Sequence, residues 1–141
     1  MSQEESLRRP IGWWLKEADR RLDTAFDQVL AGHDVGRRDW QVLAMLAGSP
    51  TPRSDIVAAL AAFDEPAVVD SVVDGLRSRG WVEESHGRMH LSQVGARHHS
   101  ALAPLVGQVR DQVAAALPGD EYATLVRLLA RLVTALPEPA D

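Results

Sequence analysis

"DEPAVVDSVVDGLRSRG", residues 64–80, is the stretch on which the fold of this chain turns. Val69, Val72, Val73 and Leu76 fall at i, i+3, i+4 and i+7, which puts them on one apolar stripe of a helix. Asp64 stands where a cap is wanted, Pro66 fits a first turn, and Gly80 suits the stop. Ala67, Asp70, Ser71, Asp74, Gly75 and Ser78 are left facing outward or to the flanks. The charge order along the stretch is uneven. Asp64, Glu65, Asp70 and Asp74 precede the only bases, Arg77 and Arg79. Acids at the start and bases at the end complement the helix macrodipole. Asp70 is not explained in that way.

Upstream, "TPRSDIVAALAAF" reads as a short helix with Thr51 as N-cap and Pro52 at its first position. Its expected buried side is Ile56, Val57, Leu60 and Phe63. Before it, "RRDWQVLAMLAG" places Trp40, Leu43, Ala44 and Leu46 inward and ends at Gly48. Residues 11–30 repeat apolar positions at three- and four-residue steps, from Ile11 and Trp14 to Val29 and Leu30. That long helix closes at Gly32. Downstream of Gly80, "WVEE" and "RMHLS" flank Ser85-His86-Gly87 as a small β-hairpin. Ser92 then caps a helix from about Gln93 towards Leu117, Pro118-Gly119 breaks it, and "DEYATLVRLLARLVTAL" is a last helix. "PEPAD" reads as a loose tail.

The order is a long helix, three short ones, a hairpin and two more helices. The chain is therefore expected to be mainly α: a winged helix-turn-helix with a short two-stranded β wing and long terminal dimerisation helices. Residues 1–141 form one domain, with 11–32 and 92–136 as dimerisation helices and 35–92 as the winged lobe. The terminal helices carry more apolar surface than a monomer of this size needs, which predicts a homodimer.

Composition narrows the function classes. The chain has 141 residues, 45% hydrophobic and 25% charged, ordinary for a globular domain. "MSQEESLRRP" has no apolar core of a secretory signal, and no apolar run nears the roughly 18 residues that span a bilayer. A cytoplasmic protein with no membrane partner is expected. Zero cysteines removes disulfides and thiolate metal sites. A net charge of −5 gives no global attraction to nucleic acid, so any such contact must come from a local patch.

Several short motifs then resemble the MarR family of bacterial transcriptional regulators, from Ile11 to Leu136. They are Trp40-Val42-Leu43-Leu46, Asp55-Ile56-Val57-Leu60, and the series Pro66, Val69, Val73-Asp74, Leu76, Arg79-Gly80, Val82. Leu91-Ser92 with Gly95 resembles the family's "LT..G" helix start. The resemblance implies a homodimer that binds a short palindrome in double-stranded promoter DNA and is released by a small, frequently aromatic ligand. It implies a DNA face built from Arg37, Arg38, Thr51, Arg53, Asp70, Ser71 and Arg88, with the arginines on the backbone.

Two departures from the family pattern stand out. Its reading helix usually carries Ser, Thr and Arg where this chain has Ala67, Val68, Asp70, Ser71 and Gly75. The wing is reduced to "SHGR", with Arg88 its one fixed charge. From Pro50 to Ser92 four arginines face seven acids, a sum of −3. That predicts weak or salt-sensitive DNA binding, with Asp74 partnering an arginine such as Arg88 and Asp70 restraining affinity. The competing reading is a MarR-like dimer that has lost strong DNA binding and acts as a protein- or small-molecule-binding module.

Trp13, Trp14 and Trp40 are candidates to line an aromatic ligand's crevice. The simpler reading is that Trp14 and Trp40 are core and Trp13 lies at the dimer seam. The five histidines lack the convergent spacing of a zinc site, and no nucleophile motif or phosphate loop is present. No metal, cofactor or enzymatic activity is expected.

Overall fold

The computed structural model describes residues 1–140. Its helices are α1 (Gln3–Leu7), α2 (Ile11–Val29), α3 (Arg37–Gly48), α4 (Arg53–Ala59), α5 (Pro66–Ser78), α6 (Gln93–Ala116) and α7 (Glu121–Ala135). A hairpin of β1 (Val82–Ser85) and β2 (Arg88–Leu91) lies between α5 and α6. This is a mainly helical winged helix-turn-helix with long terminal helices, as the periodicity predicts.

One hydrophobic core joins the winged lobe to α6. Val42 and Leu43 of α3, Ile56 of α4, and Val69, Val73 and Leu76 of α5 are fully enclosed. Val82 and Met89 seat the wing on them, and Leu102 and Val106 of α6 close the other side. In the hairpin Val82 pairs with Leu91 and Ser85 with Arg88. The connecting His86 and Gly87 both have positive φ, 55° and 77°, as a tight two-residue hairpin turn demands. The α6 start is fixed by Ser92, whose hydroxyl accepts the Gly95 N–H at 3.0 Å and donates to the Gly80 carbonyl at 2.5 Å.

The details differ from expectation at four places. Helix α1 was not anticipated, although Ser2 and Glu5 form a reciprocal capping box there. Thr51 is not the N-cap of α4; Pro52 holds that position. Thr51 instead forms an isolated antiparallel bridge with Met89 (N–H to O distances 2.9 and 2.8 Å), adding a third short edge to the wing. Asp64 does not cap α5, because it lies one residue beyond the N-cap Glu65 and its carboxylate accepts from Arg38. Phe63 is not buried: it follows the end of α4 and is 39% exposed.

The terminal helices are the opposite of the core. No residue of α2 or α7 is fully buried. Ile11 and Leu15 of α2, and Leu125, Val126, Leu128 and Val133 of α7, are exposed apolar side chains. An apolar cavity of about 550 Å³ opens among α2, α6 and α7, lined by Leu22, Phe26, Val109, Val113 and Tyr122.

Candidate nucleic-acid interface

Because Val69, Val73 and Leu76 are anchored in the core, α5 presents its other side to solvent. Ala67, Val68 and Ser71 lie at its exposed leading end, where a helix N-terminus would enter a groove. Ser71 donates its hydroxyl to the Ala67 carbonyl at 3.0 Å, so its oxygen is left as an acceptor. Thr51 marks the edge between α4 and the wing, and Arg88 stands exposed next to the wing turn.

The acids of α5 are not loose charges. Asp70 and Asp74 are four residues apart and so share one face. Arg53, the first residue of α4, reaches across to both. Its Nη2 is 2.8 Å from Asp74 Oδ1, and its Nη1 is 3.4 Å from both the carboxylate and the carbonyl oxygen of Asp70. Burial pulls the guanidinium towards neutrality, but Asp74 and then Asp70 outweigh it and hold its pKa above the ordinary value. Asp74 therefore pairs with Arg53, not with Arg88 as expected. A partner from α4 was hidden by its distance along the chain.

Arg37 and Arg38, also expected on this face, are engaged as well. Arg37 points its Nη1 between Asp19 (3.0 Å) and Asp23 (2.8 Å) of α2, with only 13% of the side chain exposed. Its guanidinium lies between the rings of Phe26 and Phe63, each centroid 5.1 Å away, and its Nε is buried without a partner. Arg38 donates from Nε to Asp64 at 2.6 Å, hydrogen-bonds Gln41 and stacks on Phe63. Exposed Phe63 is thus a platform for two guanidinium groups. At the far end of α5, Arg77 pairs with Glu84 at 3.5 Å and Arg79 with Asp34 at 3.4 Å.

The aromatic candidates are separated. Trp40 is buried in the core and stacks on His99, centroids 4.9 Å apart. Trp13 and Trp14 meet edge to face at the start of α2, where Arg9 covers Trp13 and the Trp14 indole donates to the Ser6 carbonyl. Sequence reasoning missed Trp81, a buried residue that stacks on His98 at 3.9 Å. The adjacent histidines of α6 therefore hold two tryptophans of the winged lobe. Among the described residues no three His, Asp or Glu side chains are grouped to hold a metal ion, and no helix is long and apolar enough to cross a membrane.

No protein-family model and no curated protein matches the sequence. Solved structures match over most of its length. BpsR of Bordetella bronchiseptica, whose DNA binding is regulated by 6-hydroxynicotinic acid, superposes with a TM-score of 0.78 at 23% identity, covering 90% of this chain and 96% of its own. A probable transcriptional regulator from Pseudomonas aeruginosa gives 0.76 at 28% identity, over 89% and 98%. A MarR family protein of Mycobacterium tuberculosis, solved in complex with DNA, gives 0.67 at 21% identity, over 88% and 98%. In fold, the chain is a winged helix-turn-helix of the MarR type.

Proposed function

We propose that this chain is a transcriptional regulator, not an enzyme, that acts in the cytoplasm as a homodimer on a palindromic promoter site. The observation that carries the reading is the α4–α5–wing unit, which offers an exposed helix end beside an exposed wing arginine. Ser71 is the polar group of α5 that meets base edges, while Asp70 beside it is engaged by Arg53 and restrains affinity. Arg88 takes the backbone beside the wing, and Thr51 borders it. Arg37 and Arg38 serve the seam between α2, α3 and α5, which sets how the reading helix is held.

The exposed apolar faces of α2 and α7, and the open cavity among α2, α6 and α7, support the homodimer. Residues 11–32 and 92–136 supply that interface, and 35–92 the DNA lobe. A small aromatic effector would act by changing the angle between these two parts, with Trp13 and Trp14 at the start of α2 its candidate contacts. The pairing of Arg53, Arg77 and Arg79 with acids favours a second reading, a dimer that binds a protein or small molecule instead.

A fluorescence-anisotropy titration with duplex from upstream of the chain's own gene, at low and moderate salt, separates the two. Saturable binding that weakens with salt and loses about one unit of salt slope per DNA-contacting chain in Arg88→Ala supports the regulator. No binding even at low salt favours the second reading.

A further inference from the structure

Three features of the reading face meet at one side chain. Asp70 and Asp74 occupy one face of α5, Arg53 alone spans both, and its side chain is less exposed than either (27% against 46% and 65%). A guanidinium that is shared by two carboxylates and hydrogen-bonded to the Asp70 carbonyl is oriented along α5. A phosphate that sought Arg53 would have to displace both acids and would meet their charge while doing so. Between Thr51 and Ser85 the arginines other than Arg53 are Arg77 and Arg79, and both are paired elsewhere.

We propose that Asp70 and Asp74 are specificity-determining residues that hold Arg53 away from DNA phosphates and so suppress binding to unselected duplex. The inference rests on the DNA-binding reading above. Discrimination is a difference between two affinities, and lowering the sequence-independent one widens it as surely as raising the other. Most non-specific affinity comes from phosphate neutralisation, so withholding one arginine per chain acts on that part alone. Base edges read by Ser71 are untouched by the restraint. Arg53 becomes a phosphate contact only when its two acceptors are neutralised.

The test is a cycle of variants titrated by fluorescence anisotropy against a labelled mixed-sequence duplex, between about 50 and 200 mM salt. Over that range each phosphate contact costs about threefold in affinity. Asp70→Asn/Asp74→Asn should bind more tightly than wild type at low salt and lose about threefold more affinity across the range for each chain that meets DNA. Arg53→Gln should remove that extra loss in the Asn background while changing the wild-type salt dependence by well under half as much. Thermal midpoints near wild type establish that the surface substitutions leave the fold intact. If Arg53→Gln flattens the wild-type dependence by the full threefold, Arg53 already contacts phosphate and the inference fails alone. An unchanged salt dependence in the double Asn variant sinks it too. If neither wild type nor the Asn variant binds at 50 mM salt, this inference and the DNA-binding reading fall together.

Discussion

Gly95 lies directly against the main chain of Trp81. A Cβ on residue 95 would come 2.0 Å from the Trp81 carbonyl oxygen and 2.8 Å from its carbonyl carbon. Both atoms are backbone, so no rotamer change relieves the contact. The same carbonyl accepts the Ser92 N–H at 3.0 Å, which ties the α6 start to the wing. Gly95→Ala should therefore destabilise the chain by about 3 kcal/mol, the upper end of overpacking costs. Urea unfolding measures it, and a midpoint equal to wild type would show that the α6 start can shift freely.

Arg37 should matter to stability. It is mostly enclosed between two rings, yet its aspartate partners are about half exposed. Its loss therefore falls between a surface pair and a buried one, and Arg37→Ala should cost about 1–2 kcal/mol. Arg37→Lys should recover less than half of that, because an ammonium cannot lie flat between Phe26 and Phe63. Full recovery by lysine in denaturant melts would reduce the role of Arg37 to charge alone.

Acid should remove one identifiable contribution. Hydrogen bonds from Arg20 and then Arg21 hold the Glu17 carboxyl below its ordinary pKa of 4.5. A carboxyl depressed in the folded state stabilises above its unfolded pKa and ceases to do so as pH falls through the folded value. The melting difference between wild type and Glu17→Gln should be present at neutral pH and vanish well below pH 4.5. A difference that persists at pH 3 would assign the effect to packing.

Self-association should depend on α7. Leu125 and Leu128, three residues apart on one face, are 41% and 47% exposed on a helix with no buried residue of its own. Leu128→Glu puts a charge into that face and should convert a species of twice 15.4 kDa into monomer in light scattering. A wild-type chain that scatters as a monomer at micromolar concentration would remove the dimer.

The helices and the hairpin were legible because periodicity and punctuation are local. The apolar stripe of α5, the glycine stops and the Ser92 cap are each written within a few residues. The charge pairs were not. Arg37 looks like a free surface cation until α2 is laid beside it, and its acceptors lie 14 and 18 residues earlier. Arg53 finds Asp70 and Asp74 only once α4 crosses α5. Phe63 carried a helical spacing, but α4 ends at Ala59 and the ring leaves the stripe. Helix α1 was readable from Ser2 and Glu5, since a capping box is a local signal. Gly95 was recognised by resemblance, while its physical reason needed the position of Trp81.

The bridge between Thr51 and Met89 makes the wing a short-armed lever. Arg88 is bonded to Met89, Met89 is pinned to Thr51, and Thr51 leads through Pro52 into Arg53. A pull on the wing tip is therefore delivered as a displacement of the leading turn of α4, the same turn that reaches over α5. The tip cannot swing alone. Under the proposed function, a wing that grips a duplex would also reseat α5.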